Sequence, residues 1–247
     1  MKMNIRFNIL ILMVLCLAEA KLPSYIHVCK KSDPDIAKCI IDSVYSLKPK
    51  LANGIPELNV PSTEPLLLEK IQLRTGQSRT KIDANLTNLQ VWGVTSFEIL
   101  ELRPDVTKNR FIFKSKVPHI YFKGDYDLNM DILLLKYKGQ GPLSGNFTDL
   151  SLDAVLKGHI TKINGVDHIQ FRKFAVRVEF SHTNIELSNL FDNQRNLGNA
   201  TNQVLNENSE VLLTEIKPAL ENALASKFTD IANNICKTFS YDELFPN

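Results

Sequence analysis

The side chains that most often carry chemistry are present but dispersed. Five histidines, His27, His119, His159, His168 and His182, lie far apart, and none pairs with a glutamate at metalloprotease spacing. No Gly-x-Ser-x-Gly segment offers a serine on a strand-to-helix elbow. Gly139-Gln140-Gly141-Pro142-Leu143-Ser144-Gly145 is only loosely like a dinucleotide loop. Its glycines are spaced G-x-G-x-x-x-G, Pro142 intrudes, and strand-like sequence follows where a crossover helix would begin. The segment reads as a plain turn. The residues therefore point to no catalytic group, no metal site and no cofactor.

The N-terminus has the three parts of a signal peptide: Lys2 and Arg6, the apolar run from Phe7 to Leu17, and the small-x-small site Ala18-Glu19-Ala20. The run is too short to span a bilayer, which takes about 20 apolar residues. The expectation is cleavage after residue 20, a secreted chain beginning at Lys21, and no stable membrane insertion. Removing 20 of 247 residues leaves 227. They carry almost balanced charge, which argues against a nucleic-acid partner.

Secretion changes the reading of the cysteines. Cys16 leaves with the leader, so Cys29, Cys39 and Cys236 remain of the original 4. An odd number in an oxidising compartment gives one disulfide and one leftover thiol. Cys29 and Cys39, close in sequence, are the expected pair, and Cys236 is expected as a buried apolar filler near a helix end. His27 beside Cys29 does not change that. Three N-x-S/T sequons begin at Asn85, Asn146 and Asn199 and become usable for glycans. Lys108, Arg110, Lys114 and Lys116 form a basic stretch, most simply a solvated sheet face.

The elements that hold these residues follow from periodicity. Pro34 in a first turn and Ile36, Ile40, Val44, Leu47 and Leu51 at spacings of four and three predict a helix ending at Asn53-Gly54. Ile55 to Pro65, with three prolines, predicts an extended connector. From Leu66 to Leu190 the period is two, as in Ile82, Ala84 and Leu86, or Phe111, Phe113, Ser115 and Val117. After Pro118 the inward set shifts to Ile120, Phe122, Gly124, Tyr126, Leu128 and Met130, and so long a run must bend, with Gly124 the expected bulge. Leu150 to Leu156 and Phe174, Val176, Val178 and Phe180 alternate again. From Asn199 to Ile235 the period returns to 3.6, which predicts one helix of roughly 50 Å, kinked at Pro218. Consecutive strands without helices between them predict an antiparallel sheet. The economical fold is α+β, residues 21–247 as one domain: a curved antiparallel sheet wrapped around a long C-terminal helix.

Such a sheet turns Phe97, Phe111, Phe113, Phe122, Tyr126, Met130, Phe174, Val176 and Phe180 inward, facing Leu212, Ile216 and Leu220 of the helix. These are the expected lining of an apolar interior, with Tyr121, Tyr126 or Tyr137 as the polar groups that orient a guest.

Several segments, weak singly, are fairly specific in their order: Cys29 and Cys39, Gly54-Ile55-Pro56-Glu57-Leu58 with Pro61 and Pro65, and Asn189-Leu190-Phe191 followed by Leu197-Gly198. Asn206-Glu207-Asn208, Pro218 and Tyr241-Asp242-Glu243-Leu244-Phe245-Pro246 complete them. Together they resemble the takeout and juvenile-hormone-binding protein family of insects over the whole mature chain. The resemblance implies a helix wrapped by a curved sheet, as in the bactericidal/permeability-increasing proteins, around an apolar tunnel. It implies carriage of a small hydrophobic ligand, a juvenile-hormone-like terpenoid or a fatty-acid-like lipid, and no enzyme activity. One N-terminal disulfide matches the takeout branch, because Cys236 has no partner for the second bridge of the hormone-binding branch. Ser209 and Ser240 depart from the family's usual aromatic and proline. The competing readings are a secreted signalling protein with a filled core, acting through its surface on an unknown receptor or protein partner, and a lipid-ester hydrolase.

Overall fold

The computed structural model describes residues 22–74, 81–132, 135–193 and 195–247; the expected signal peptide lies outside them. Eight strands form an antiparallel sheet: β1 Leu66–Arg74, β2 Lys81–Trp92, β3 Glu98–Asp105, β4 Arg110–Ile132, β5 Leu135–Ile163, β6 Val166–Phe171, β7 Ala175–Glu179 and β8 His182–Leu187. The order is β1-β2-β4-β5-β6, with β3 added on β4 and β7 and β8 on β5. The helices are α1 Ile36–Asn53, α2 Arg195–Glu207, α3 Ser209–Thr238 and α4 Tyr241–Leu244.

The sheet curls because its longest strands, β4 and β5 with 23 and 29 residues, are creased. At one crease β2 inserts an extra residue between Thr87 and Gln90, with Asn88 in the left-handed region at φ 52°. Gly124 of β4 faces it, where a Cβ would lie 2.9 Å from the Thr87 carbonyl oxygen. The expected bulge is thus on the partner strand, and Gly124 makes room for it. Across this crease the buried set of β1 changes parity, from Leu66 and Leu68 to Ile71 and Leu73. At the second crease β4 and β5 change parity together. Val117 faces Leu150 and Ile120 faces Phe147, all four buried, with Pro118 and the left-handed Asp149 (φ 50°) between them. Asparagine and aspartate tolerate this conformation better than other side chains, so the creases fall at Asn88 and Asp149.

Residues 139–145, read from sequence as a turn, lie inside β5. Their glycines are strand glycines that yield space: a Cβ at Gly145 would meet the Phe122 ring at 2.6 Å, and one at Gly139 the Tyr137 hydroxyl at 2.1 Å. The connector from Ile55 is not simply extended. It forms a short 3-10 turn, and Ile55, Leu58 and Val60 are buried with Phe239 in a compact cluster.

One unbroken helix from residue 199 is also corrected. The chain breaks at Asn208 (φ −110°, ψ 27°), while Pro218 is carried inside α3. Asn208 gives both its backbone and side-chain N–H groups to the Val204 carbonyl, at 3.1 and 2.8 Å. Its own carbonyl accepts from Val211 and Leu212 to start α3.

Helix side chains hold the backbone of the late strands. The Asn202 amide accepts from Leu187 N–H and donates to Leu187 C=O, both at 3.0 Å; Asn206 does the same to Ile185 at 2.8 Å. Asn233 clasps Phe171 in this way at 2.8 and 3.0 Å. Thr229 accepts from Phe174 N–H and Glu221 from Val178 N–H. Backbone groups left unpaired at a sheet edge are thereby satisfied, and α2 and α3 are tied to the β6–β8 side of the sheet.

Candidate functional site

Between the inner face of the sheet and the stretch of α3 from Leu212 to Phe228 lies a cavity of about 190 Å³. Leu66, Leu68, Ile71 and Leu73 of β1, and Ile82, Ala84, Leu86 and Leu89 of β2, form one wall. Phe122, Tyr126, Leu128 and Met130 of β4 and Leu143, Phe147 and Leu150 of β5 form the floor. Ile185, Leu187, Leu205, Leu212, Ile216, Leu220, Leu224 and Phe228 close it from the β8 and helix side. Among the described residues, no polar atom faces the space. The fully buried residues of α3 are Ala225, Thr229 and Cys236, all in its second half. From Leu212 to Phe228 the apolar side chains of α3 that border the hollow are half-buried.

Tyr126 is the one wall residue with a polar side-chain atom, and that atom is engaged. Its hydroxyl donates to the Ser188 carbonyl at 2.7 Å and lies 3.3 Å from the Tyr137 hydroxyl. Burial first, then the Tyr137 hydroxyl, push the Tyr126 phenol above its ordinary range. Tyr137 is buried against Phe191 and is not on the wall. Tyr121 points outward and is exposed, as period two demands of a residue between buried Ile120 and Phe122.

Of the residues expected at the interior, Phe122, Tyr126, Met130, Phe180, Leu212, Ile216 and Leu220 meet at the cavity. The others lie elsewhere. Phe97 stacks on Tyr45 with centroids 6.2 Å apart. Phe111 joins Ile169 and Cys236 in a separate cluster, between Phe171 and Phe245. Phe174 packs edge-on against Phe171. Phe113 and Val176 are half-buried on the same sheet, off the wall. Sequence reasoning passed over β1 as lining, since Glu69-Lys70 interrupts its alternation. It also passed over Phe147, whose ring stacks between Phe122 and Phe180 at 4.9 and 4.4 Å.

The remaining chemistry-bearing side chains have structural roles. Cys29 and Cys39 form a disulfide, S–S 2.06 Å, so their sulfurs, though grouped with His27, are not free to hold a metal. Cys236 is free and buried, its thiol pushed up to about 12 by burial. Its carbonyl accepts from His168 Nδ1 at 2.9 Å. Lys108, Lys114 and Lys116 pair with Asp105, Glu101 and Glu98. Among the described residues no helix is long and apolar enough to cross a membrane.

A curled antiparallel sheet closed by a long helix over an apolar hollow is the architecture that the described residues define. The chain belongs to the haemolymph juvenile hormone binding protein family, whose profile matches residues 9–246. It is 22% identical to the circadian clock-controlled protein daywake of Drosophila melanogaster over 92% of this chain and 90% of that one. It is 23% identical to a Schistocerca gregaria protein, named for a proposed beta-carotene-binding role, over 87% and 86% of the two. The crystal structure of Epiphyas postvittana Takeout 1 shares the fold: TM-score 0.76 at 21% identity, over 90% of this chain and all of that one.

Proposed function

We propose that the protein is a secreted carrier that holds one small hydrophobic ligand in the cavity beneath α3. The observation that carries this reading is a hollow walled by apolar side chains in which, among the described residues, no polar atom is left to bind water. One water takes about 10–15 Å³ on this measure, so the space would hold more than a dozen, and an apolar cavity of that size is costly to wet. A guest that hides about 400 Å² of apolar surface gains roughly 10 kcal/mol before association costs.

The same wall narrows the guest. An ionised carboxylate placed inside would find no donor, at a cost of several kcal/mol. The enclosed part of the ligand is therefore a neutral hydrocarbon or terpenoid chain, and any charged head stays outside. The leader expected from the sequence of residues 1–20 and the family's haemolymph description support an extracellular setting.

Native mass spectrometry of secreted protein, before and after solvent extraction, tests the reading. The expected result is a neutral lipophile of one-to-one stoichiometry that extraction removes. A fluorescent apolar probe then binds the stripped protein, and Ala84→Trp, which fills the cavity, weakens the probe at least tenfold. No co-purifying lipophile together with no probe binding would overturn the carrier reading.

A further inference from the structure

The outer face of the sheet carries a row that ligand carriage does not use. Trp92, Tyr121, Asn146 and Asn184 are direct cross-strand partners on β2, β4, β5 and β8. Such partners have Cβ atoms about 4.5–5.5 Å apart on one face. The face is the outer one, since Ile120, Phe122 and Phe147 beside the row are buried and Tyr121 is 44% exposed. Trp92, the only tryptophan of the chain, lies with its ring 5.5 Å from that of Tyr121. The Lys123 ammonium sits 5.0 Å from the Trp92 ring. Tyr121 thus adjoins, on the next strand, the asparagine of Asn146-Phe147-Thr148, and Trp92 stands one strand beyond it.

Phe147, stacked inside between Phe122 and Phe180, fixes which way this strand faces and so holds Asn146 outward. The Asn146 side-chain amide has no hydrogen-bond partner among the described residues. The Asn85 sequon differs, its Oδ1 accepting from Gln72 at 3.3 Å. The Asn199 sequon differs too, lying on α2 with its Thr201 buried.

We propose that Asn146 carries an N-linked glycan whose first sugar rests on the Tyr121–Trp92 rings. The proposal relies on the secretory route and not on the cavity. The donor is a polyprenyl-diphosphate-linked oligosaccharide. The Asn146 Nδ2–C1 bond forms, the C1–O bond to diphosphate breaks, polyprenyl diphosphate leaves, and the amide proton passes to a base of the transferase. A pyranose then presents its axial C–H groups to the aromatic faces, which pair an apolar body with a polar tip. The linkage holds the sugar one strand away at high effective concentration, which favours the chain's own glycan over an external partner as the occupant of these rings.

The test uses the full chain secreted from insect cells. Glycopeptide mapping should find N-acetylhexosamine on Asn146. Trimming by an endoglycosidase to the first sugar should leave the Trp92 emission unchanged. Asn146→Gln and, independently, Thr148→Ala should red-shift that emission, raise its quenching by acrylamide and lower Tm by about 2–4 °C. In a Tyr121→Ala background the same loss of sugar should change Tm by much less. Secreted protein without sugar on Asn146 overturns the proposal, as does a sugar whose loss leaves emission, quenching and Tm unmoved. Retention of the chain inside the cell would instead count against the secretory reading, and apolar-probe binding reports on the cavity separately.

Discussion

The two ends of α3 face different worlds. Beside Ala225, Thr229 and Cys236 the helix is packed: Ile169 is 2% exposed, Phe111 and Phe171 fill the space around it, and Asn233 and Thr229 clasp the strand backbone. Beside Leu212, Ile216 and Leu220 the same helix borders a hollow. Both ends present apolar side chains at helical spacing. What separates them is what stands opposite. At the packed end large aromatic rings and the plug from Ile55 to Val60 reach the helix, whereas at the hollow end the creased strands recede from it. An amphipathic stripe therefore says that a face is dry, not that it is filled.

Large-to-small substitutions probe this contrast most strongly. Ile169→Ala should cost about 3–5 kcal/mol, because the lost methyl groups leave a new void among fixed neighbours. Leu66→Ala, equally buried at 2% exposure, should cost about half as much, since its side chain already borders empty space. Urea unfolding of the ligand-free protein measures both, and equal costs would break the comparison.

The amide clasps come next. Asn233→Ala leaves Phe171 N–H and C=O unpaired at the packed end and should cost about 2–3 kcal/mol. Asn206→Ala exposes the Ile185 groups nearer the hollow, should cost about 1–2 kcal/mol, and should speed exchange of a bound apolar probe in stopped-flow displacement. If Asn233→Ala speeds exchange as much, the two ends are not distinct.

The smallest effect, read over a single pH unit, is in pH. Burial raises the Cys236 thiol from an ordinary 9.0 to about 12. Above pH 9 the unfolded chain releases this proton and the folded chain keeps it, so the unfolded state binds fewer protons and stability falls as pH rises. The loss runs from about pH 9 to about 12, at no more than about 1.4 kcal/mol per pH unit. Tyr126, also raised, joins above its ordinary 10.0. Cys236→Ala should flatten the slope between about pH 9 and 10, read from urea midpoints. An unchanged slope would place the thiol in contact with water.

Much of this fold is legible as periodicity. Period two marked β2, β4, β5 and β7, and the parity shift at Pro118 was readable because proline interrupts the run. The shift at Glu69-Lys70 in β1 was not, for its cause lies on another strand, at Asn88. The glycines of β5 looked like turn residues because only the partner rings explain them. Phe111, Phe174 and Val176 share a face with Phe122 and Phe180, so alternation grouped all five. Distance along a curled sheet has no period, and that distance separates the packed end from the cavity wall.

The paired asparagines of α2 have a geometric corollary. Four helical residues advance about 6 Å, and two strand residues about 6.7 Å. Asn202 and Asn206 can therefore mesh with Leu187 and Ile185 like two teeth of a vernier, while each further tooth would drift by roughly 0.7 Å. A third clasp would call for a bent helix. The coupling is short by construction: two teeth, with buried Leu205 between them, tie this stretch of helix to its strand.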